Sequence, residues 1–269
     1  MQVQDLHSHY QHAATSTKKL NPLGPDHQQL PYPLWDPETW TNPCQSGPAK
    51  KHKLVYVATD QHNQQQVIKF TQRYGWDVHR AWAAAGLAPK LLSSPDQVVA
   101  GTWQQVQMEY LPSSAGWLTM RFLMQPLQVQ LNHAPESCVL GPAQMPGLFK
   151  KAEELLHSAH SVHVSGMPAA HVDARPDNIM VLVEQGSVKQ LKLIDMDWGG
   201  VSDRVRYPAM LNANTIMWPA GVGPGKPLQQ GHDLELLQLQ VAEPTCAGRS
   251  DWRQMFARNV QVSDMQLDA

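Results

Sequence analysis

The sequence predicts an α+β fold preceded by an irregular N-terminal tail. Two kinds of pattern carry that prediction. Short apolar runs at 54–58 and 66–70 flank the polar turn Asp60-Gln61-His62-Asn63, and runs at 180–183 and 191–194 flank Glu184-Gln185-Gly186-Ser187, which is the text of two β-hairpins. Apolar residues recur with helical spacing at Val78, Ala81, Trp82 and Ala85, and again at Phe149, Ala152, Leu155, Leu156 and Ala159, which predicts helices over 76–87 and 148–162.

The chain has 269 residues, enough for one two-lobed domain or two small ones. A net charge of -2 and a pI near 6.7 give no basic footprint, so no nucleic-acid partner is expected. Charged residues make up only 16 % of the chain, and the abundance of Gln, His and Pro points to polar, poorly ordered segments around an ordinary core. Three cysteines, Cys44, Cys138 and Cys246, are too scattered for a disulfide framework or a C-x-x-C site, which suits a reducing compartment. The first residues, Met1 to His7, form neither a basic nor an apolar signal region. No run of about 18 apolar residues occurs, so no membrane span is expected. The expected setting is intracellular and cytoplasmic.

Taken in order, residues 1–50 read as a tail or an irregular wrap. Pro31, Pro33, Pro37, Pro43 and Pro48 follow one another too closely for a helix or a central strand, while Trp35 and Trp40 are candidates to dock on the body. Lys69 sits inside the second strand between Ile68 and Phe70; by alternation alone it would face solvent. The helix at 76–87 stops at Gly86 and Pro89. Further short strands are expected at 97–100 and 103–108, and a short helix around 117–122. His157, His160 and His163 lie on or just beyond the helix at 148–162. Steps of three drift around a helix, and no cysteine joins them, so they read as surface residues rather than zinc ligands.

The chemistry concentrates in His171-Val172-Asp173-Ala174-Arg175-Pro176-Asp177-Asn178 and in Ile194-Asp195-Met196-Asp197-Trp198-Gly199. Each lies at the end of an apolar strand. An Asp, an Asn five residues on, and an Asp at the end of the next strand suit magnesium–phosphate chemistry. The first orients a hydroxyl and takes its proton, and the other two offer the hard oxygen ligands that Mg²⁺ prefers. The hairpin between them brings Asn178 and Asp195 to one end.

These two segments resemble the catalytic loop and metal-binding segment of the protein-kinase-like superfamily. His171, Asp173 and Asn178 meet the pattern H-x-D-x-x-x-x-N, and Asp195-Met196-Asp197 occupies the D-F-G position. An acid replaces the Gly there, as in choline-kinase-like and aminoglycoside-phosphotransferase-like members. Arg175 stands where protein kinases usually carry Lys. Arg-Pro after the Asp, the D-x-D-W-G segment, and the text Tyr207-Pro208 through Trp218-Pro219-Ala220-Gly221-Val222 look most like the atypical fungal-type kinases. The resemblance implies a two-lobed protein-kinase-like fold, with a small β-rich N-lobe at 51–111 and a short, mainly helical C-lobe at 112–245. A tail at 1–50 and an extension at 246–269 flank them. It further implies that Lys69 holds the ATP phosphates and that the backbone of Glu109 and Leu111 meets adenine. His171 would brace the loop, and Asp233 would brace it from the next helix, cap that helix, or do both at once. Asp197 would hold a second metal or a loop amide.

Several family parts are absent. No Glu lies on the helix at 76–87, and Asp77 or His79 would have to stand in as the partner of Lys69. Ser46-Gly47-Pro48-Ala49-Lys50-Lys51 is a poor match to a Gly-rich phosphate loop, although Lys50, Lys51 and Lys53 add charge, and there is no A-P-E. Gly221-Val222-Gly223-Pro224-Gly225-Lys226-Pro227 is not a Walker loop, because Ala220 and Pro227 occupy required Gly and Ser/Thr positions. The reading is an ATP- and Mg²⁺-dependent phosphotransferase acting on a hydroxyl, with protein Ser/Thr as the first choice of acceptor. Asp173 and Arg175 would be catalytic, with Lys69, Glu109, Leu111, Asn178 and Asp195 binding Mg·ATP, and Asn178 and Asp195 holding the metal. The alternatives are a pseudokinase or interaction module, and a small-molecule kinase.

Overall fold

In a computed structural model, residues 41–45, 54–60, 62–95, 98–100, 103–202 and 204–242 are described, with the backbone alone described at 41–45 and 98–100. Expectations for residues 1–40, for Lys50, Lys51 and Lys53, for Cys246 and for the extension at 246–269 lie outside these residues. The chain is a mixed α and β protein with small sheets, and it divides into two compact units. One comprises residues up to Arg73 together with Leu91–Tyr110; the other comprises Tyr74–Lys90 and the chain from Leu111 onward.

The first unit is a five-stranded antiparallel sheet. Its strands are β1 (Thr41–Gln45), β2 (Val55–Thr59), β3 (Gln65–Thr71), β4 (Val98–Ala100) and β5 (Trp103–Glu109), in the order β1-β2-β3-β5-β4. The β2–β3 hairpin forms because Asp60 accepts the backbone N–H of His62 and Gln64 (2.8 and 2.9 Å) while Asn63 takes a φ of +60°, an Asx turn of the kind these residues favour. Tyr56, Ala58, Ile68 and Phe70 form its core, with Leu54 and Trp103 against them. One correction falls here. Residues 41–45, read as part of an irregular tail, pair with β2 as an edge strand with a register shift between Thr41 and Cys44. An edge strand with a bulge is where Pro43 can be accommodated.

The second unit contains α1 (Trp76–Ala84), β6 (Trp117–Thr119), α2 (Met120–Leu123), α3 (Leu127–His133), α4 (Met145–Ser161), β7 (Ala169–Ala170), β8 (Ile179–Glu184), β9 (Ser187–Leu193), β10 (Gly200–Val201) and α5 (Gly231–Ala242). Helix α1 groups with this unit, although its sequence lies within 51–111. Its buried residues are Trp76, Val78, His79 and Trp82, and Ala85 is exposed. Helix α4 buries the stripe expected of it, Phe149, Ala152, Leu155, Leu156 and Ala159.

The helix expected around 117–122 is corrected. Residues 117–119 extend as a strand against Met180, Val181 and Leu182 of β8, and only then does Thr119 cap α2 by accepting the Phe122 N–H. Pairing with a neighbouring strand decides the conformation of 117–119. Gly116 makes the entry. Its φ is +88°, and a Cβ there would stand 2.4 Å from the Val183 carbonyl oxygen. Helix α3 has no counterpart in the sequence reading. Gln130, buried on it, donates to the carbonyls of Leu123, Gln125 and Leu140 and accepts the Leu140 N–H. Among the described residues no helix is long and apolar enough to cross a membrane.

Candidate active site

The β8–β9 hairpin builds the floor of the site. Gln185 and Gly186, at φ +51° and +65°, close it as a two-residue turn, the geometry that matches strand twist. Pairing runs from Glu184–Ser187 to Ile179–Leu193, and one further bond, Ile194 N–H to the Asn178 carbonyl at 2.9 Å, extends it beyond the strands. Asn178 and Ile194 are thus neighbours across the ladder, and Asp195 follows at once.

Asp173, Arg175 and Asn178 come together. The Arg175 guanidinium meets Asp173 with two prongs, Nε to Oδ1 and Nη2 to Oδ2 (2.9 Å). The Asn178 amide donates from Nδ2 to Asp173 Oδ2 (2.8 Å) and to the Asp173 carbonyl (2.9 Å). Tying Nδ2 to Asp173 turns Asn178 Oδ1 the other way, as an acceptor-only atom. Burial works against the Arg175 charge, but the hydrogen bond and field of Asp173, with Asp177 and Asp195 behind it, outweigh burial and hold the guanidinium above its ordinary pKa. The site therefore keeps a fixed positive charge beside Asp173.

The loop is braced from beneath. Asp233 of α5, 1 % exposed, accepts the backbone N–H of His171 and Val172, each at 2.7 Å, and His160 Nε2 at 3.0 Å. Of the two roles open to Asp233, bracing the loop is the one these bonds define. Val172 sits at φ +76°, a conformation that persists only when its surroundings over-determine it, and Asp233 supplies that. His171, fully buried, meets the Ile194 carbonyl through Nε2 (2.8 Å), accepts the Asp173 N–H at Nδ1 (3.3 Å), and lies parallel to Trp82 of α1 with centroids 6.1 Å apart. It links the loop to the strand end before Asp195. From the other side, Arg121 reaches Asp177 (3.2 Å) and Gln240 (3.4 Å).

His160 corrects one expectation. It was read as a surface residue, but its side chain is 10 % exposed and bonded to Asp233. His157 and His163 are exposed. Among the described residues no cluster of three or more His, Cys, Asp or Glu could hold a metal ion. Asn178 and Asp195 offer an amide oxygen and a carboxylate, the hard oxygen chemistry that a divalent cation takes, and Asp195 directly follows the residue bonded to Asn178 across the hairpin.

Segment 195–199 is held by its backbone. Asp195 has φ +68°. The Met196 carbonyl accepts both Gly199 N–H (3.1 Å) and Gly75 N–H (2.9 Å), and Met196 is buried. Beyond it, β10 pairs with β7, and Trp198, Trp218 and Val222 pack on the cluster Ala170, Val172, Tyr207 and Leu228. Tyr207 Oη meets His232 Nδ1 at 2.9 Å. The Pro/Gly-rich stretch after Gly200 is therefore a packed structure.

Of the remaining named residues, Lys69 and Glu109 belong to the first unit and Leu111, Asp77 and His79 to the second. Lys69 lies on β3 of the first unit between Val55 and Val106. At 8 % exposure it is not the solvent-facing residue that strand alternation allows. Glu109 ends β5, and Leu111 is buried. Asp77 is 73 % exposed and pairs with Arg80 at 3.5 Å. His79 is 1 % exposed, bonded to Tyr74 Oη (2.6 Å) and to the Pro89 carbonyl (2.8 Å). The sequence reading did not find Tyr74, Gly75 or the His160 bond, because none carries a local motif.

No family model matches the chain, and no curated protein matches it. Among solved structures it is similar to the Rio2 kinase from Chaetomium thermophilum, crystallised as an ADP/Mg2+-phosphoaspartate complex. The identity is 13 %, the TM-score 0.38, and the match covers 61 % of this chain and 50 % of that one. The chain thus spans half the length of that kinase.

Proposed function

We propose that this protein is an ATP- and Mg²⁺-dependent phosphotransferase of protein-kinase-like fold, which moves the γ-phosphoryl group to a hydroxyl, with protein Ser/Thr the first acceptor to test. One observation carries the reading. Asp173, Arg175 and Asn178 form a single hydrogen-bonded cluster, and Asn178 is paired across the ladder with the residue before Asp195. On this reading Asp173 would supply a base, Arg175 a fixed cation, and Asn178 and Asp195 two hard oxygen ligands.

In the proposed reaction the acceptor oxygen forms a bond to the γ-phosphorus, the bond to the β,γ-bridging oxygen breaks, ADP leaves, and the hydroxyl proton passes to Asp173. Asp173 is held by Asn178 and Arg175, so it orients the hydroxyl without having to reorganise. Arg175 uses two of its five donors on Asp173 and has others to offer a phosphoryl oxygen. Asn178 and Asp195 would hold Mg²⁺, which when bound neutralises charge on the phosphate oxygens. Lys69 would contribute a further charge to the ATP phosphates, and the backbone of Glu109 and Leu111 would meet the base.

A second reading, a pseudokinase or interaction module without transfer, is favoured by one observation: the acid of α1, Asp77, is exposed and paired with Arg80. A small-molecule kinase remains a matter of acceptor, with Asp197 as its argument. The test is phosphate transfer from labelled ATP by the pure full chain, screened over protein and small alcohol acceptors, with Asp195→Ala alongside. Mg²⁺-dependent transfer that vanishes in the variant supports the enzyme. Saturable Mg·ATP binding without transfer supports the module, and unchanged transfer by Asp195→Ala refutes the assignment.

A further inference from the structure

Helix α5 meets the loop at 171–178 at both of the loop's ends. Asp233 and Gln240 stand two helical turns apart, so they share one face, about 10 Å from each other along the axis. Both are buried, at 1 % and 2 % exposure. Asp233 takes the N–H of His171 and Val172 directly. Gln240 reaches the loop through Arg121. Its Oε1 accepts Arg121 Nη2 at 3.4 Å, and Arg121 Nε donates to Asp177 Oδ2 at 3.2 Å. Asp177 is the middle residue of the turn Pro176–Asn178, in which the Asn178 N–H donates to the Arg175 carbonyl at 2.8 Å. All of these residues belong to the second unit.

The place of Arg121 follows from strand pairing. Thr119 is opposite Met180 in the β6–β8 ladder, so the residues that turn from Thr119 into α2 lie beside those that lead into β8. The strand conformation of 117–119 thereby sets Arg121 against Asp177. Gln240 is the odd residue of its surroundings. Leu236, Leu237 and Val241 are its buried neighbours on α5, yet Gln240 Nε2 is buried with no hydrogen-bond partner among the described residues. A buried donor left unpaired is costly, and an apolar residue would avoid that cost. What Gln240 offers instead is the oxygen that holds Arg121.

We infer that Arg121 and Gln240 are positioning residues for the Asn178 end of the loop, so that one face of α5 fixes the first end through Asp233 and the second through an Arg121 relay. The consequence for metal binding rests on reading Asn178 as a metal ligand. The ion pair itself adds little stability, because the side chains of Arg121 and Asp177 are 23 % and 46 % exposed and solvent screens such a pair. Its geometry is what counts. A guanidinium holds two partners at once from one rigid plane, whereas an ammonium at the same place keeps the charge and loses the fork.

The test uses the full chain with Arg121→Ala, Arg121→Lys and Gln240→Leu, and three measurements: amide hydrogen exchange read residue by residue, thermal melts, and the Mg²⁺ concentration that half-saturates ADP binding. Arg121→Ala is expected to speed exchange of the Asn178 N–H about fivefold, the factor matching the upper worth of a screened ion pair, and to leave the His171 and Val172 N–H unchanged. The Mg²⁺ requirement should rise by a similar factor. Arg121→Lys should follow the alanine variant. Gln240→Leu should melt no lower than the wild type, since it removes the orphaned donor, and still speed exchange at Asn178. Arg121→Lys matching the wild type, as a plain surface ion pair would have it, overturns the inference. So does wild-type exchange at Asn178 in Arg121→Ala or Gln240→Leu, or equal acceleration at His171 and Val172. If the wild type binds no Mg·ADP, the proposed function fails, and the exchange comparison still decides whether the relay positions the loop.

Discussion

The loop at 171–178 and the segment at 195–199 meet at the end of one hairpin, yet they are held by different means. The loop hangs on a side chain: two backbone N–H groups and an imidazole converge on the Asp233 carboxylate. In the segment, one carbonyl, that of Met196, takes two N–H donors, and one glycine, Gly75, is pressed against another. Both contain a residue at positive φ, Val172 in one and Asp195 in the other. A buried acid meets the loop and close backbone packing meets the segment, and the two kinds of contact break in different ways.

The largest effect is expected at Asp233. Asp233→Ala leaves two buried N–H groups and His160 without their acceptor and should cost about 3–5 kcal/mol of stability in urea unfolding. Asp233→Asn, which keeps one acceptor oxygen, should cost clearly less. An alanine variant as stable as the wild type would mean that the loop does not depend on this acid. Next comes the backbone solution. Gly75→Ala must push Gly199 away, an overpacking worth about 1–3 kcal/mol, and the damage should appear as faster exchange at 195–199 before it appears at 171–178.

A smaller effect is expected where the loop's supporting cluster meets α5. Tyr207→Phe loses the bond to His232 and should cost about 1 kcal/mol. Burial, then the Asp233 charge, raise the Tyr207 pKa above 10.0. The unfolded chain therefore releases this proton first. The contribution of Tyr207 is complete below about pH 10 and is lost as the pH rises from there through the folded value. Thermal melts above pH 10 should fall less steeply in Tyr207→Phe than in the wild type. The smallest effect is at Asp77, outside both regions; Asp77→Asn should change stability by less than about 0.5 kcal/mol, since its pair with Arg80 is solvent-screened.

The same contrast explains what the sequence made legible. The hairpins and the stripe of α4 were readable because each depends on residues near one another in the chain. The Asp60 turn, the Gln185-Gly186 turn and the burial of Phe149, Leu155 and Leu156 are all local matters. Asp173 and Asn178 were readable because their spacing itself encodes the contact between them. Residues 117–119 misled, because their conformation is decided by β8, some sixty positions away. His160 stayed hidden for the same reason. A histidine on a helix looks ordinary until the chain brings Asp233 to it. Residues 41–45 show the limit of composition, since prolines argue against a central strand and say little about an edge.

The proposed function requires Asn178 and Asp195 to hold one divalent cation with a nucleotide. Electron paramagnetic resonance of Mn²⁺ titrated into the full chain with ADP tests this most directly. One bound Mn²⁺ per chain, dependent on ADP, weakened in Asn178→Ala and lost in Asp195→Ala, is the predicted result. Equal Mn²⁺ binding by the wild type and both variants would contradict it.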